Sequence, residues 1–198
     1  RAARAPPRRE PARRGSACAL AARGRPGEAA DASEQELERF PAGAHAHEAA
    51  LHRGIEWLRA DRSERALAAL RAEGLAGDPE ALYWRAQAEL KTGDAEAALA
   101  SAERALGLDP GDELRERLQI ARGDALFDLG RASDAVSAYS ESESEYALYA
   151  ASLAALNEGR LEEAVGIARR VLESYPASTY RAELWLVGPI APEMEPFR

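Results

Sequence analysis

One cysteine, Cys18, stands among the 198 residues, so no disulfide can close within the chain and the redox compartment is not written in its thiols. With no histidine near it in sequence, Cys18 is expected to be a buried, inert thiol. Aromatic residues make up only 6% of the chain, valine and isoleucine are few, and no stretch alternates apolar and polar side chains for long. That pattern excludes a β-sandwich and leaves an all-α fold. No run of about 20 apolar residues is present, so no segment reads as a membrane-spanning helix. Lys91 is the sole lysine; with so much arginine and alanine, the composition suggests a GC-rich bacterial genome. The sole methionine is Met194 and the chain opens on Arg1, so a fragment or processed form is expected, in which a targeting segment need not be present. The chemistry of enzymes is also missing: there is no nucleophile elbow, phosphate-cradling glycine loop, cysteine pair or HExxH arrangement. No catalytic residue, metal site or cofactor is expected.

What the chain does have is alanine-rich helical periodicity interrupted by turns. Its clearest stretch runs from Glu80 to Pro110. Leu82, Ala86 and Leu90 fall on one helical stripe, and Ala98, Ala102, Ala105 and Leu106 on another. Gly93 should end the first helix in the left-handed conformation, and Asp94 should cap the second. Pro110 should stop it. The same grammar recurs. Gly24, Asp61, Gly93, Gly130 and Gly159 are each followed five residues later by an alanine: Ala29, Ala66, Ala98, Ala135 and Ala164. Small residues, Gly54, Ala86, Gly123 and Ser152, stand on the first helix of four pairs. The prolines Pro41, Pro110 and Pro176 follow second helices.

This pattern resembles the tetratricopeptide repeat family, whose helix-turn-helix units of about 34 residues stack into a superhelix. The resemblance implies an α-solenoid of about five repeats, over residues 12–43, 44–78, 79–111, 112–144 and 145–178, ending near 176. A C-terminal capping helix over 179–188 and a proline-rich tail over 189–198 complete it. In the family the first helix of each pair lines a concave groove. Carried onto this sequence, the lining is Leu51, Ile55 and Arg59, then Tyr83, Gln87 and Lys91, then Ile120, Asp124 and Asp128, then Tyr149, Leu153 and Asn157. Trp57 takes the bulky aromatic position that the family buries. The expected partner is another protein, offering a peptide or helix with apolar anchors and a few polar contacts. The implied role is a non-catalytic scaffold, adaptor or assembly factor. The alternatives are a structural subunit of a larger bacterial envelope complex or a regulatory domain of a larger enzyme. Two segments, ERFPAGAHAHEAALHRG from Glu38 and ESYPASTYRAELWLVG from Glu173, look like repeats of bacterial envelope proteins. They favour a periplasmic or outer-membrane-associated location and a membrane-associated complex.

Several local features carry their own expectations. Residues 1–11 form a basic, proline-broken arm. Through residue 14, six arginines against Glu10 give +5, so the rest of a chain at −8 carries −13. Such an acidic body repels phosphate backbones, and no aromatic residue interleaves the arginines, so nucleic acid is not expected as a partner. The first unit's helices are expected at Ser16–Ala22 and from Pro26 to Phe40. His45, His47 and His52 lie at spacings that do not share one helical face and read as solvated or capping residues. The acidic residues should sit on exposed faces, with pairs such as Glu36 with Arg39 and Asp61 with Arg65. Phe127 and Tyr139 should be the large packing residues of the fourth unit, whose second helix is expected to be short. The run from Ser140 to Glu145 should be a solvated loop. A terminal helix containing Leu184, Trp185 and Leu186 should cover the last repeat.

Overall fold

All five turn residues take the same backbone conformation in the computed structural model, which describes residues 11–39 and 46–187. Gly24, Asp61, Gly93, Gly130 and Gly159 have φ of 70°, 58°, 79°, 70° and 74°. At four of these turns the next residue reaches back to an orphan carbonyl of the helix just ended. The N–H groups of Arg25, Arg62, Arg131 and Arg160 donate to the carbonyls of Leu20, Trp57, Leu126 and Ala155 at 3.0, 2.9, 2.8 and 2.9 Å. This is the Schellman closure that a left-handed residue permits, and the short polar side chain of Asp61 tolerates it where glycine is absent.

The described residues form eleven α-helices and one short 3-10 turn, with no strand among them. They are α1 (Pro11–Ala22), α2 (Pro26–Arg39), α3 (Ala46–Arg59), α4 (Ser63–Leu70), α5 (Pro79–Lys91), α6 (Ala95–Leu106), α7 (Asp112–Asp128), α8 (Ala132–Tyr139), α9 (Glu145–Asn157), α10 (Leu161–Ser174) and α11 (Arg181–Val187). The 3-10 turn at Glu73–Leu75 precedes α5. Two compact units divide at Thr92 and Gly93. In the first, α1 to α5 each pack on the next helix in chain order, and α3 also touches α5. In the second, α6 to α11 do the same, and α11 also touches α9.

Close approach within the hairpins follows from small side chains. Ala29, Ala66, Ala98, Ala135 and Ala164 are all fully buried. On the first helices, Gly54 and Gly123 leave room that a side chain on the second helix fills. A Cβ at Gly54 would lie 2.5 Å from Leu70, and one at Gly123 would lie 2.5 Å from the Tyr139 ring. The first unit's core gathers around Trp57, Leu58, Leu70 and Leu75; the second around Leu126, Tyr139, Leu148, Val171 and Leu184.

Several expectations are corrected. Helix α1 begins at Pro11 rather than Ser16, because proline suits a first helical position. Helix α6 has already ended at Leu106, ahead of Pro110, and Asp109 takes a φ of 52° between them. Phe127 is exposed, so Tyr139 alone supplies the large ring to the α7–α8 core. Cys18 is exposed rather than buried. Two carboxylates are interior: Glu56 is 3% exposed and Glu89 is fully buried, the latter held by Arg85 at 2.8 Å and Arg71 at 3.4 Å. Asp61 pairs with Lys91 at 3.3 Å instead of with Arg65. The run from Ser140 is ordered by its own hydroxyls. Ser142 is buried and donates to Glu116 at 2.6 Å, and Ser144 accepts from the N–H of Ala147 to cap α9. Helix α8 is short, eight residues, as the sequence suggested, and so is α4. Residues 1–10, Phe40, Pro41, His45 and residues 188–198 lie outside the described residues.

Candidate partner-binding surface

The twelve residues assigned to a groove occupy four helices at intervals of four, which places each trio along one helix face. In the first unit, α3 carries Leu51, Ile55 and Arg59. Leu51 is half-buried, Ile55 is buried at 7% exposure, and Arg59 is exposed with its guanidinium on Glu56 at 2.7 Å. Helix α5 carries half-buried Tyr83 and Gln87 and exposed Lys91, whose ammonium meets Asp61. The Tyr83 ring stands edge-on to Trp84 with centroids 5.1 Å apart.

Helix α5 is held at its start by an arrangement that involves one of the histidines. Asp78 caps it, accepting from the N–H groups of Glu80 at 2.8 Å and Ala81 at 3.3 Å. His47 from α3 adds Nε2 at 2.6 Å from Asp78 and Nδ1 at 3.1 Å from the Gly74 carbonyl oxygen. His47 thus serves as a capping partner, and His52 lies 4.0 Å from Glu48. Among the described residues no histidine, cysteine, aspartate and glutamate group is arranged to hold a metal.

In the second unit Asp124 of α7 and Tyr149 of α9 are linked through two further tyrosines. Asp124, on α7 between Ile120 and Asp128, accepts at a single oxygen from the hydroxyls of Tyr139 at 2.7 Å and Tyr146 at 2.9 Å. Burial pushes the Asp124 carboxyl upward from its ordinary value; the two hydroxyl donors oppose that, and neighbouring Asp128 adds to it. Burial likewise raises the Tyr139 and Tyr146 hydroxyls, and the Asp124 charge raises them further. Tyr146 in turn lies 6.4 Å from Tyr180, and Tyr180 stacks on Tyr149 with centroids 4.1 Å apart and planes at 8°. Tyr149 is raised by burial and then by the charge of Glu183. Leu153 is half-buried beyond it on α9, and Asn157 and Asp128 are exposed at the helix ends.

The sequence reading missed Tyr146 and Tyr180 as members of this cluster, although one signal was there. The two tyrosines stand 34 residues apart (146 to 180), one repeat length. The buried pairing of Tyr139 with Asp124 had no such signal, because it depends on a ring crossing from α8 to α7. This surface offers aromatic faces, exposed apolar side chains at Phe127 and Leu156, and carboxylates. No helix of the described residues is long and apolar enough to cross a membrane.

Comparison with known proteins agrees with this architecture. The sequence pattern of the family described as Tetratricopeptide repeat matches residues 53–113 and 120–179. A tetratricopeptide repeat protein from Parabacteroides merdae superposes with a TM-score of 0.72 at 17% identity, covering 87% of this chain and 70% of that one. A thermophilic protein of the same kind from Thermus thermophilus gives 0.63 at 20% identity, over 90% of this chain and 98% of that one. The Cut9–Hcn1 hetero-tetramer of the APC/C gives 0.71 at 18% identity over 89% of this chain, which spans 35% of that longer one. No curated protein sequence matches.

Proposed function

Because the chain belongs to the tetratricopeptide repeat family, whose repeats bind other proteins, we propose that it is a non-catalytic adaptor or assembly factor holding a peptide or helix of a partner on its first-helix faces. The observation that supports this most is the tyrosine cluster of the second unit. Tyr146 is 41% exposed, although it is fixed by Asp124 and lies beside the stacked Tyr149–Tyr180 pair. Large aromatic side chains that are held in place yet open to solvent present contact area at low entropic cost, and such residues dominate protein interfaces. Tyr83 and Trp84 on α5 offer the same combination in the first unit.

The test is a pair of substitutions, Tyr83→Ala and Tyr149→Ala, made together in the full chain. Partners recovered from the native host by the unchanged protein should be lost or fall by about ten-fold or more, as hot-spot truncations do. Helicity by circular dichroism should be nearly unchanged. Undiminished recovery of the same partners by the doubly substituted protein would show that these faces are not the binding surface.

A further inference from the structure

A second site of different chemistry lies in the first unit, where α2, α3 and α4 border an open pocket of about 350 Å³. Its size is that of a small-ligand pocket. Its lining includes Glu34, Arg53, Trp57 and Arg65. Arg53 and Trp57 are one turn apart on α3 and so share a face. The Arg65 guanidinium, from α4, lies 4.8 Å over the Trp57 ring. Stacking of this kind holds a guanidinium in place while leaving its edge free to donate.

The two arginines are poorly matched by the protein's own anions. Arg65 has no hydrogen bond or ion pair among the described residues. Among the same residues Arg53 has Glu34 as its sole ion-pair neighbour, at 3.7 Å, too far for a good hydrogen bond. Its Nε–H is buried and has no acceptor among them. Buried donors are normally satisfied, and one left open marks an arrangement that an added acceptor would improve. Around Trp57, therefore, two guanidiniums converge with a single carboxylate, Glu34, between them.

We propose that this pocket binds a dicarboxylate. One carboxylate takes the place of Glu34 on Arg53, whose guanidinium turns so that Nε–H and an Nη–H donate side by side; the second pairs with Arg65 over the Trp57 face. A carboxylate fits the Nε and Nη edge of arginine in the plane, forming two parallel bonds. Two carboxylates answer two cations, of which Glu34 offsets one. The ligand is either a small dicarboxylic acid or adjacent acidic side chains of a partner, and the chemistry recognised is the same. The site is independent of the tyrosine surface.

The experiment titrates the full chain at low ionic strength with succinate and, separately, with the peptide acetyl-Ala-Glu-Glu-Ala-amide. NMR follows the arginine Nε–H signals and the Trp57 indole signal. At least one titrant should give saturable shifts: succinate alone identifies a small acid, the peptide alone an acidic protein segment, and both the shared chemistry. The peptide with glutamine in place of glutamate should give none. Arg53→Gln and Arg65→Gln should each weaken binding by about ten-fold or more, the usual loss for a hydrogen bond to a charged group. Glu34→Gln should tighten binding, because it removes the competing carboxylate, a gain that damaged folding would not produce. Saturable shifts from neither titrant, equal binding of the glutamine peptide, undiminished binding in both arginine variants, or no gain from Glu34→Gln would overturn the proposal.

Discussion

Gly123 and Gly166 both lie inside helices, where alanine is the better helix former, yet the space beside them differs completely. A Cβ at Gly123 would run into the Tyr139 ring, whereas one at Gly166 meets nothing within 4 Å. Gly123→Ala should therefore lower stability by about 1–3 kcal/mol through overpacking, and Gly166→Ala should raise it by about 0.5–1 kcal/mol through backbone entropy. Urea denaturation midpoints distinguish the two; equal gains from both would mean that the Tyr139 ring moves aside freely. Asp124 gives a second residue-scale prediction. Its carboxyl is raised from the ordinary value of 3.8, so the folded protein holds that proton more tightly than the unfolded chain does. The stability that this proton supplies is full below pH 3.8 and is lost as pH rises through the folded value. Asp124→Asn removes that loss, so the melting temperature of the variant should gain on the native protein as pH rises from acid to neutral. A constant difference across that range would contradict the assignment. Gly54 and Gly123 were legible from sequence because the repeat spacing marks them. Buried Glu89 was not, since Arg71, one of the residues that make its burial tolerable, stands just past the end of α4, 18 positions away.

At the scale of single elements, ends matter more than middles. The start of α5 was half legible: Asp78 before Pro79 is a capping residue followed by a proline at the first helical position. The other half, His47, arrives from 31 residues away and leaves no local trace. Asp78→Ala should cost about 0.5–2 kcal/mol, the usual value of a lost N-cap. His47→Ala should cost less, since it leaves both capping N–H bonds in place. Chemical denaturation checks the order, and a His47 effect exceeding that of Asp78 would mean that the contact between α3 and α5 is worth more than the cap. The short helices follow a similar logic. The serine-rich run after α8 warned of an early stop, whereas α4 gave no such warning and ends at Leu70, just ahead of the 3-10 turn at Glu73–Leu75 that precedes α5.

Across the molecule, the turn-and-alanine grammar was enough to locate all five turns, because each is closed by groups that are neighbours in sequence. What spacing could not give was the assignment of side chains that cross between hairpins, such as Tyr146 to Asp124. Stability in such a chain is expected to be local as well. Leu184 of α11 is fully buried against the second unit's core, so Leu184→Ala should cost about 2–5 kcal/mol. Amide hydrogen exchange should rise first in α9 and α10, which α11 touches; equal acceleration in α3 and α4 would mean that the chain unfolds as one block. The glycines that admit Leu70 and Tyr139 carry one more implication. Ser152 and Ala168 hold the corresponding places in the last hairpin, both fully buried, with the size difference between the two positions almost gone. Second helices are therefore keyed to their own partners: grafting α8 behind α9 would drive a phenol ring into a serine, and grafting α10 behind α7 would leave a hole where that ring had been.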